Sequence, residues 1–269
     1  MSEPFDCKLL SSVVDKYGVL RLTLNNPKGS NALSEEMLAL LSKAFDRAAD
    51  DREVRVIILA ANGSTFCAGH DLKEMTAGRR DSDRGRGYFK KILSQCSSVM
   101  QKIVTCPRPV IAEIDGVATA AGCQLVASCD LAVASKAAQF CTPGVHIGLF
   151  CSTPMVALSR NLANKHAMEM LLTGDMVSAA RAAEMGLVNQ VVPTAELRTA
   201  SMALAKKIAA KSSLTVARGK RAFYQQIEMD LADAYIFAAE VMVENMLARD
   251  AEEGIAAFIE KRPPDWRDE

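Results

Sequence analysis

Two apolar runs in the first half of the chain each end in a turn built of small residues, and this repeated junction restricts the fold more than any other feature. Val54 to Ala60 is a β-branched run of the kind found in strands buried on both faces, and it leads into Asn62 to His70. Pro109-Val110-Ile111-Ala112-Glu113-Ile114-Asp115-Gly116 leads into Thr119-Ala120-Ala121-Gly122-Cys123-Gln124-Leu125, followed by a helix-like run ending near Asp130. Buried strand, glycine-rich turn and helix, in that order, read as an α/β chain. Two small-residue turns after strands can also aim backbone N–H groups at one point. Two such donors facing one carbonyl oxygen make an oxyanion hole.

The remaining segments extend this pattern. Cys7 to Val14 and Val19 to Leu24 read as a hairpin linked by Lys16-Tyr17-Gly18. Ser34 is a fitting helix N-cap, with Glu35 and Glu36 in the first turn and Leu38, Leu41 and Phe45 at helical spacing. A Gly-, Arg- and Asp-rich loop at 77–87 precedes a helix expected from about Tyr88 to Val104, which Cys106-Pro107-Arg108-Pro109 stops. A short strand at Leu131 to Ala134 and an irregular segment from Cys141 to Pro154 follow. Beyond Met155 the pattern is almost wholly helical, apart from a brief strand at Val188 to Val192. No internal repeat is evident in the sequence. A composition shift near residue 195 divides the chain into a core, 1–195, and a helical region, 196–269.

Composition excludes some functions and leaves others open. Lys+Arg and Asp+Glu number 32 each in 269 residues, so the global charge offers no case for nucleic-acid binding. No apolar run reaches the length of a membrane span. The eight cysteines form no CxxC pair and the three histidines have no paired spacing, so no metal site is expected. Reduced, mostly buried thiols and no targeting segment before the first strand lead to the expectation of a cytoplasmic protein.

Several stretches, in order, are similar to the crotonase superfamily, also called enoyl-CoA hydratase/isomerase. They are Asn26-Pro27-Lys28-Gly29-Ser30-Asn31-Ala32-Leu33, Phe66-Cys67-Ala68-Gly69-His70-Asp71-Leu72-Lys73-Glu74-Met75 and Ala120-Ala121-Gly122-Cys123-Gln124-Leu125. Leu172-Thr173-Gly174, Ala183-Glu184-Met185-Gly186-Leu187-Val188 and the tail from Glu253 to Arg262 complete the set. Gly69-His70-Asp71-Leu72 and the run from Ala120 to Asp130 are shared with one particular branch. The resemblance implies a spiral of ββα units with a C-terminal helical region used in trimerisation, and often a hexamer of two trimers. It implies an acyl-CoA substrate, with coenzyme A as part of that substrate and no resident cofactor. It assigns the oxyanion donors to His70 N–H and Ala121 N–H. It also places Ala68 and Leu72 along the adenine and pantetheine side, with Lys28, Lys73 and Lys261 near the CoA phosphates. Phe258 and Lys261 would come from a neighbouring copy.

The chain departs from the superfamily where the hydratases keep their acid/base pair. Gln124 stands at one glutamate position and Gly144 at the other, while Ser152 replaces the aspartate of dienoyl-CoA isomerases. Loss of general acid–base help typically costs ~10²–10⁴-fold. Three readings therefore stay open: a nominal enoyl-CoA hydratase acting through a thioester enolate, a decarboxylase of a malonyl-type CoA, and a non-catalytic acyl-CoA-binding or RNA-associated protein, the RNA version weakened by the equal charge totals. Gln124 is either a pocket group or a packed polar residue. His70 is either a proton shuttle or a structural histidine. Glu74 is a candidate substitute base, although such acids more often lie at the surface. His146 reads as a solvated loop residue, Asp130 as a helix-terminal structural acid, and Cys151 and Ser152 lack a base to activate them.

Overall fold

The structure is a computed structural model and describes residues 7–269. The chain starts with an antiparallel pair, β1 (Leu10–Val14) and β2 (Val19–Leu24), then a helix, α1 (Glu35–Asp50). Ser34 caps α1 as expected, its hydroxyl accepting the Met37 N–H at 3.1 Å. A two-strand, one-helix unit then recurs. β3 (Val56–Ala61) and β4 (Thr65–Cys67) lead to α2 (Leu72–Gly78) and the long α3 (Arg86–Thr105). β5 (Val110–Ile114) and β6 (Val117–Thr119) lead to α4 (Ala121–Ser128). β7 (Leu131–Ser135) and β8 (Gln139–Cys141) lead through a 3-10 turn, Pro143–Ile147, to α5 (Ser152–Leu158).

The remaining core elements are α6 (Asn164–Thr173), β9 (Val177–Ser178), α7 (Ala179–Met185) and β10 (Gln190–Val192). Four helices follow: α8 (Leu197–Ala209), α9 (Ser213–Gln226), α10 (Leu231–Met246) and α11 (Arg249–Glu260). The first strands of these units, β3, β5 and β7, join β1, β2 and β10 in one sheet, in the order β1-β2-β3-β5-β7-β10, and the second strands join β9 in another, in the order β4-β6-β8-β9. The ladders β2·β3·β5·β7·β10 and β4·β6·β8 are parallel. The chain thus winds as a spiral of ββα units, the expected fold. The repeat is one of backbone geometry, which explains why no repeat is visible in the residues.

The larger sheet is buried on both faces, and strand alternation sorts its side chains. Ile57 and Leu59 face the main core with Met37, Leu41 and Phe45 of α1 and Ile92, Val99 and Ile103 of α3. Val56, Ile58, Ile111 and Val133 face a second layer covered by Leu197, Ala205 and Ala209 of α8. The β-branched run at 54–60 needs apolar residues at consecutive positions for this reason. One charged group breaks the α8 face. Glu113 on β5 is buried and accepts hydrogen bonds from Arg21 Nη1 and Nη2 and from the Ser201 hydroxyl of α8.

A second buried polar junction ties α9 to the core. Asp130 accepts the Val110 N–H at 2.7 Å, Lys220 Nζ at 2.6 Å and the Tyr224 hydroxyl at 3.0 Å. Lys220 Nζ also donates to the carbonyls of Ile103 and Arg108. Burial, and then the Asp130 charge, hold the Tyr224 phenol far above its ordinary pKa, so it remains a donor. Asp130 is accordingly a structural acid. Removing one member of a buried pair leaves an uncompensated charge. Lys220→Met is expected to destabilise the protein by about 3 kcal/mol. Urea denaturation checks this, and a loss under about 1 kcal/mol would mean that the junction is solvated.

Candidate active site

The two small-residue turns meet where β4 and β6 end. After β4 the backbone turns through Ala68, Gly69 and His70, and two bonds hold this turn against the 30–33 loop. Ala68 N–H donates to Ser30 O at 3.0 Å, and Leu33 N–H donates to Gly69 O at 2.8 Å. Asn31 anchors that loop. It is fully buried at a φ of 50°, donates from Nδ2 to the carbonyls of Asn62 and Thr65, and accepts the Asn26 N–H at Oδ1. Its role was not foreseen. An Asn in a Pro-Lys-Gly-Ser-Asn loop looks like ordinary turn chemistry until its two distant partners, the carbonyls of Asn62 and Thr65, are known.

After β6, Ala120 takes φ 52° and ψ −120°, and α4 begins at Ala121. The positive φ therefore falls on Ala120, and Ala121 meets the requirement for a negative one. An alanine in this region is strained, and such strain is concentrated at functional turns. Ala120 N–H donates to Cys141 O at 2.9 Å, which locks the turn to β8. The first N–H groups of α4 have no partner within the helix, and the positive end of its dipole favours negative charge there.

The contact between the turns is too close for larger residues. A methyl placed on Gly69, whose φ is +85°, would lie 3.0 Å from the Ala120 Cβ and 3.1 Å from the Ala121 nitrogen. One on Gly122 would lie 2.1 Å from the Cys67 carbonyl oxygen. The glycines thus bring the His70 backbone and the start of α4 together. Neither the His70 N–H nor the Ala121 N–H donates to a backbone carbonyl in the turns described above.

Gln124, one turn into α4, is 4% exposed, and its Oε1 has no donor. Both His70 ring nitrogens are buried without a well-formed hydrogen bond. Burial pushes the imidazole below its ordinary pKa of 6.5, and the Leu33 backbone beside it offsets only part of that effect. Gly144 is buried in the 3-10 turn, and the space beyond its Cα is filled: a methyl there would lie 2.9 Å from Cys151 Sγ and 2.9 Å from Leu149 O. A glutamate cannot be added at 144 without displacing that loop. Burial also raises the thiol pKa of Cys123, Cys141 and Cys151, which keeps all three protonated and weakly nucleophilic.

The other candidates lie around this centre or away from it. Glu74 is engaged elsewhere: its Oε2 accepts the Glu35 N–H at 3.0 Å at the start of α1. Asp71 caps α2 through the N–H groups of Lys73 and Glu74. Ala68 is half-buried beside the turn, whereas Leu72, Lys73 and Lys28 are exposed. Phe258 and Lys261 lie at the end of α11 and are exposed. Phe258 borders a cleft of about 560 Å³ shared with Met246, Ile255 and Trp266. Among the described residues no backbone hydrogen bond joins these two residues to the 68–72 turn. His146 is exposed, with its ring against Thr173 O at 2.8 Å, and the exposed Ser152 hydroxyl donates to Phe150 O. Among the described residues no group of His, Cys, Asp and Glu could hold a metal ion, and no helix is long and apolar enough to cross a membrane.

The enoyl-CoA hydratase/isomerase family profile matches residues 15–269. The chain belongs to that family. It is 48% identical to human enoyl-CoA hydratase domain-containing protein 3, mitochondrial, over 94% of this chain and 82% of the human one. The Xenopus laevis protein of the same name is 48% identical over 96% of this chain and 86% of its own. A solved enoyl-CoA hydratase of Mycobacterium smegmatis superposes with a TM-score of 0.92 at 52% identity, covering 96% of this chain and 98% of that one. The human domain-containing protein 3 structure gives 0.90 at 46% identity, covering 96% and 100%. The crotonase fold and the branch indicated by the 69–72 and 120–130 motifs are both established.

The same relatives correct the expectation of a cytoplasmic protein, because the frog, human and rat proteins are all named mitochondrial. All eight cysteines are unpaired. Unpaired thiols do not distinguish one compartment from another.

The buried histidine makes stability depend on pH. Its folded pKa lies below the unfolded one, so between the two the unfolded chain binds more protons. Its contribution is complete above about 6.5 and is lost as pH falls through that value toward the folded pKa. A His70→Phe variant is expected to lose stability less steeply than the wild type between about pH 5 and 6.5. Denaturation midpoints across that range check this, and identical slopes would place the ring in solvent.

Proposed function

We propose that the protein is an acyl-CoA enzyme that holds its thioester carbonyl oxygen between the N–H groups of His70 and Ala121 and works through the resulting enolate. The observation that carries this reading is the approach of Gly69 to the start of α4, where even a methyl would stand 3.1 Å from the Ala121 nitrogen. Donors preorganised in this way stabilise the charge that develops on the oxygen. The thioester would run past Ala68 and Leu72, with Lys28 and Lys73 toward the CoA phosphates. Coenzyme A arrives with the substrate, and the chemistry calls for no resident cofactor.

Hydration of crotonyl-CoA should be slow. Gln124 exchanges no proton at neutral pH, Cys151 fills the space where the second glutamate would stand, and Glu74 is held by α1. A panel of CoA thioesters followed by mass spectrometry tests the chemistry: hydration adds water, decarboxylation loses carbon dioxide, and a binder changes nothing. Turnover of crotonyl-CoA in the common enzymic range of ~1–10³ s⁻¹ would show that another group replaces the pair. On whichever thioester turns over, Ala121→Pro removes one oxyanion donor and is expected to cost ~10²–10³-fold in kcat. Full activity in a variant with native circular dichroism would sink the assignment.

Oligomerisation through the helical region, 196–269, belongs to the same reading. Leu231, Tyr235, Ile236, Met242, Val243 and Leu247 are more than half exposed along and just beyond α10, and Phe258 is 86% exposed on α11. So much apolar surface on one side calls for a covering partner. We take that partner to be further copies of this chain, as a homotrimer or homohexamer, with Phe258 and Lys261 reaching a neighbour's CoA. Sedimentation velocity at micromolar concentration is expected to give a trimer or larger, and a monomer would rule the arrangement out.

A further inference from the structure

The turn between α2 and α3 concentrates positive charge on a chain whose totals balance. From Arg79 to Lys91 there are six Lys and Arg against two Asp, whereas the whole chain holds 32 of each sign. Arg79 to Arg84 are all exposed, and so are Arg86, Lys90 and Lys91 beside them. Lys91 pairs with Glu35. Among the described residues no ion pair joins Arg79, Arg80, Arg84, Arg86 or Lys90 to a carboxylate. Asp83 turns back on the backbone, with Oδ1 accepting the Gly85 N–H at 2.9 Å and Oδ2 the Gly87 N–H at 2.7 Å. The turn is fixed. Asp81 N–H donates to Gly78 O at 3.2 Å and Arg84 N–H to Asp81 O at 2.8 Å. A methyl on Gly85 would lie 2.8 Å from Gly78 O, and one on Gly78 would lie 2.6 Å from the Tyr88 ring, so α2 and α3 meet across two glycines. The arginines therefore project from a rigid tip.

We propose that this tip docks the protein on an anionic phospholipid surface. Four of the five unpaired cations are arginines. Their planar guanidinium groups match phosphate oxygens and shed water more readily than ammonium groups. Two other polyanions fit less well. Unpaired bases stack on open aromatic faces. Here the aromatic rings are covered: Tyr88 lies against Gly78, and Phe89 lies against Gly85 with the Arg79 guanidinium 5.3 Å from its centroid. An acidic protein surface would need an apolar anchor at the centre of the patch, and the stretch from Arg79 to Arg86 holds none. A bilayer asks for clustered positive charge with a little apolar surface beside it. Leu72, 55% exposed at the start of α2, supplies that surface. None of these residues belongs to the helical region, 196–269, assigned above to contacts between copies. Docking does not depend on which reaction the site performs, and it would set the 68–72 turn one short helix, ~10 Å, behind the tip.

Flotation of the full-length protein with vesicles tests the docking. The vesicles are phosphatidylcholine alone, or phosphatidylcholine with about 30 mol% phosphatidylglycerol, a charge density that attracts polybasic surfaces. Binding is expected to the anionic vesicles only. It should weaken at least ~10-fold between about 50 mM and 0.5 M salt, as screening shortens the Debye length. Each basic residue near such a surface strengthens partitioning ~5-fold. A triple variant, Arg80→Gln, Arg84→Asn and Arg86→Gln, is therefore expected to partition ~100-fold more weakly while keeping its affinity for butyryl-CoA. Asparagine suits the φ of 61° at Arg84. Should the triple variant fold poorly, Asp81→Asn removes an opposing charge and should strengthen partitioning ~5-fold. Absence of binding to anionic vesicles at low salt would overturn the proposal, as would equal binding to neutral vesicles or partitioning unmoved by both variants. Displacement from the vesicles by an unstructured RNA oligonucleotide at micromolar concentration would assign the patch to nucleic acid. Loss of butyryl-CoA affinity in the triple variant would assign it to the CoA phosphates. Either result would also overturn the docking.

Discussion

The site depends on one steric constraint: the end of β4 and the start of α4 approach closely enough to exclude a Cβ. Gly122 lies against the Cys67 carbonyl, and Gly69 lies against Ala120 and Ala121. The rest of the core serves this contact. The parallel ladder β4·β6·β8 brings successive strand ends alongside one another. The bond from Ala120 N–H to Cys141 O fixes the second turn, and Asn31 fixes the loop that holds the first. The strain at Ala120 is borne by contacts on both sides, as an over-determined turn requires.

Electrostatically, the centre is notable for its neutrality. The carboxylates nearest to it in sequence or fold are committed to structure. Asp71 caps α2, Glu74 serves the start of α1, Asp130 gathers α9 onto the core, and Glu113 lies beneath α8. At the centre itself stand backbone N–H groups, an uncharged amide, an imidazole that burial keeps neutral, and protonated thiols. Such a site favours charge that develops on a bound oxygen over charge supplied by a side chain. It also explains why family membership carries the fold and the ligand class further than it carries the reaction.

Much of the architecture was legible because it rests on local signals. The β-branched run at 54–60, the Ser34 cap, the proline stop after Thr105 and the small-residue turns each reflect a short-range rule, and each appears within a few residues of its expected place. The second sheet was not legible. Its strands are two or three residues long, too short for alternation to register, and β4 and β6 lie inside stretches that read as turns. The helix α3 starts two residues before Tyr88, and α2 runs into the stretch read as a loop, because no strong cap marks either boundary.

By itself, the sequence determined which residues are small, which are apolar at strand or helix spacing, and that Gln124 and Gly144 are not acids. Those facts suffice for an α/β chain with small-residue turns after its buried strands, because period and side-chain chemistry are local properties; the ββα winding was an implication of the family resemblance. Tertiary structure alone decided that Cys151 fills the space beyond Gly144 and that Glu74 is held at the start of α1. It alone also left Gln124 Oε1 and the His70 ring nitrogens buried without a well-formed hydrogen bond. Each of these is a contact between segments distant in the chain, or the lack of one. Only packing determines which groups are left for a ligand to satisfy.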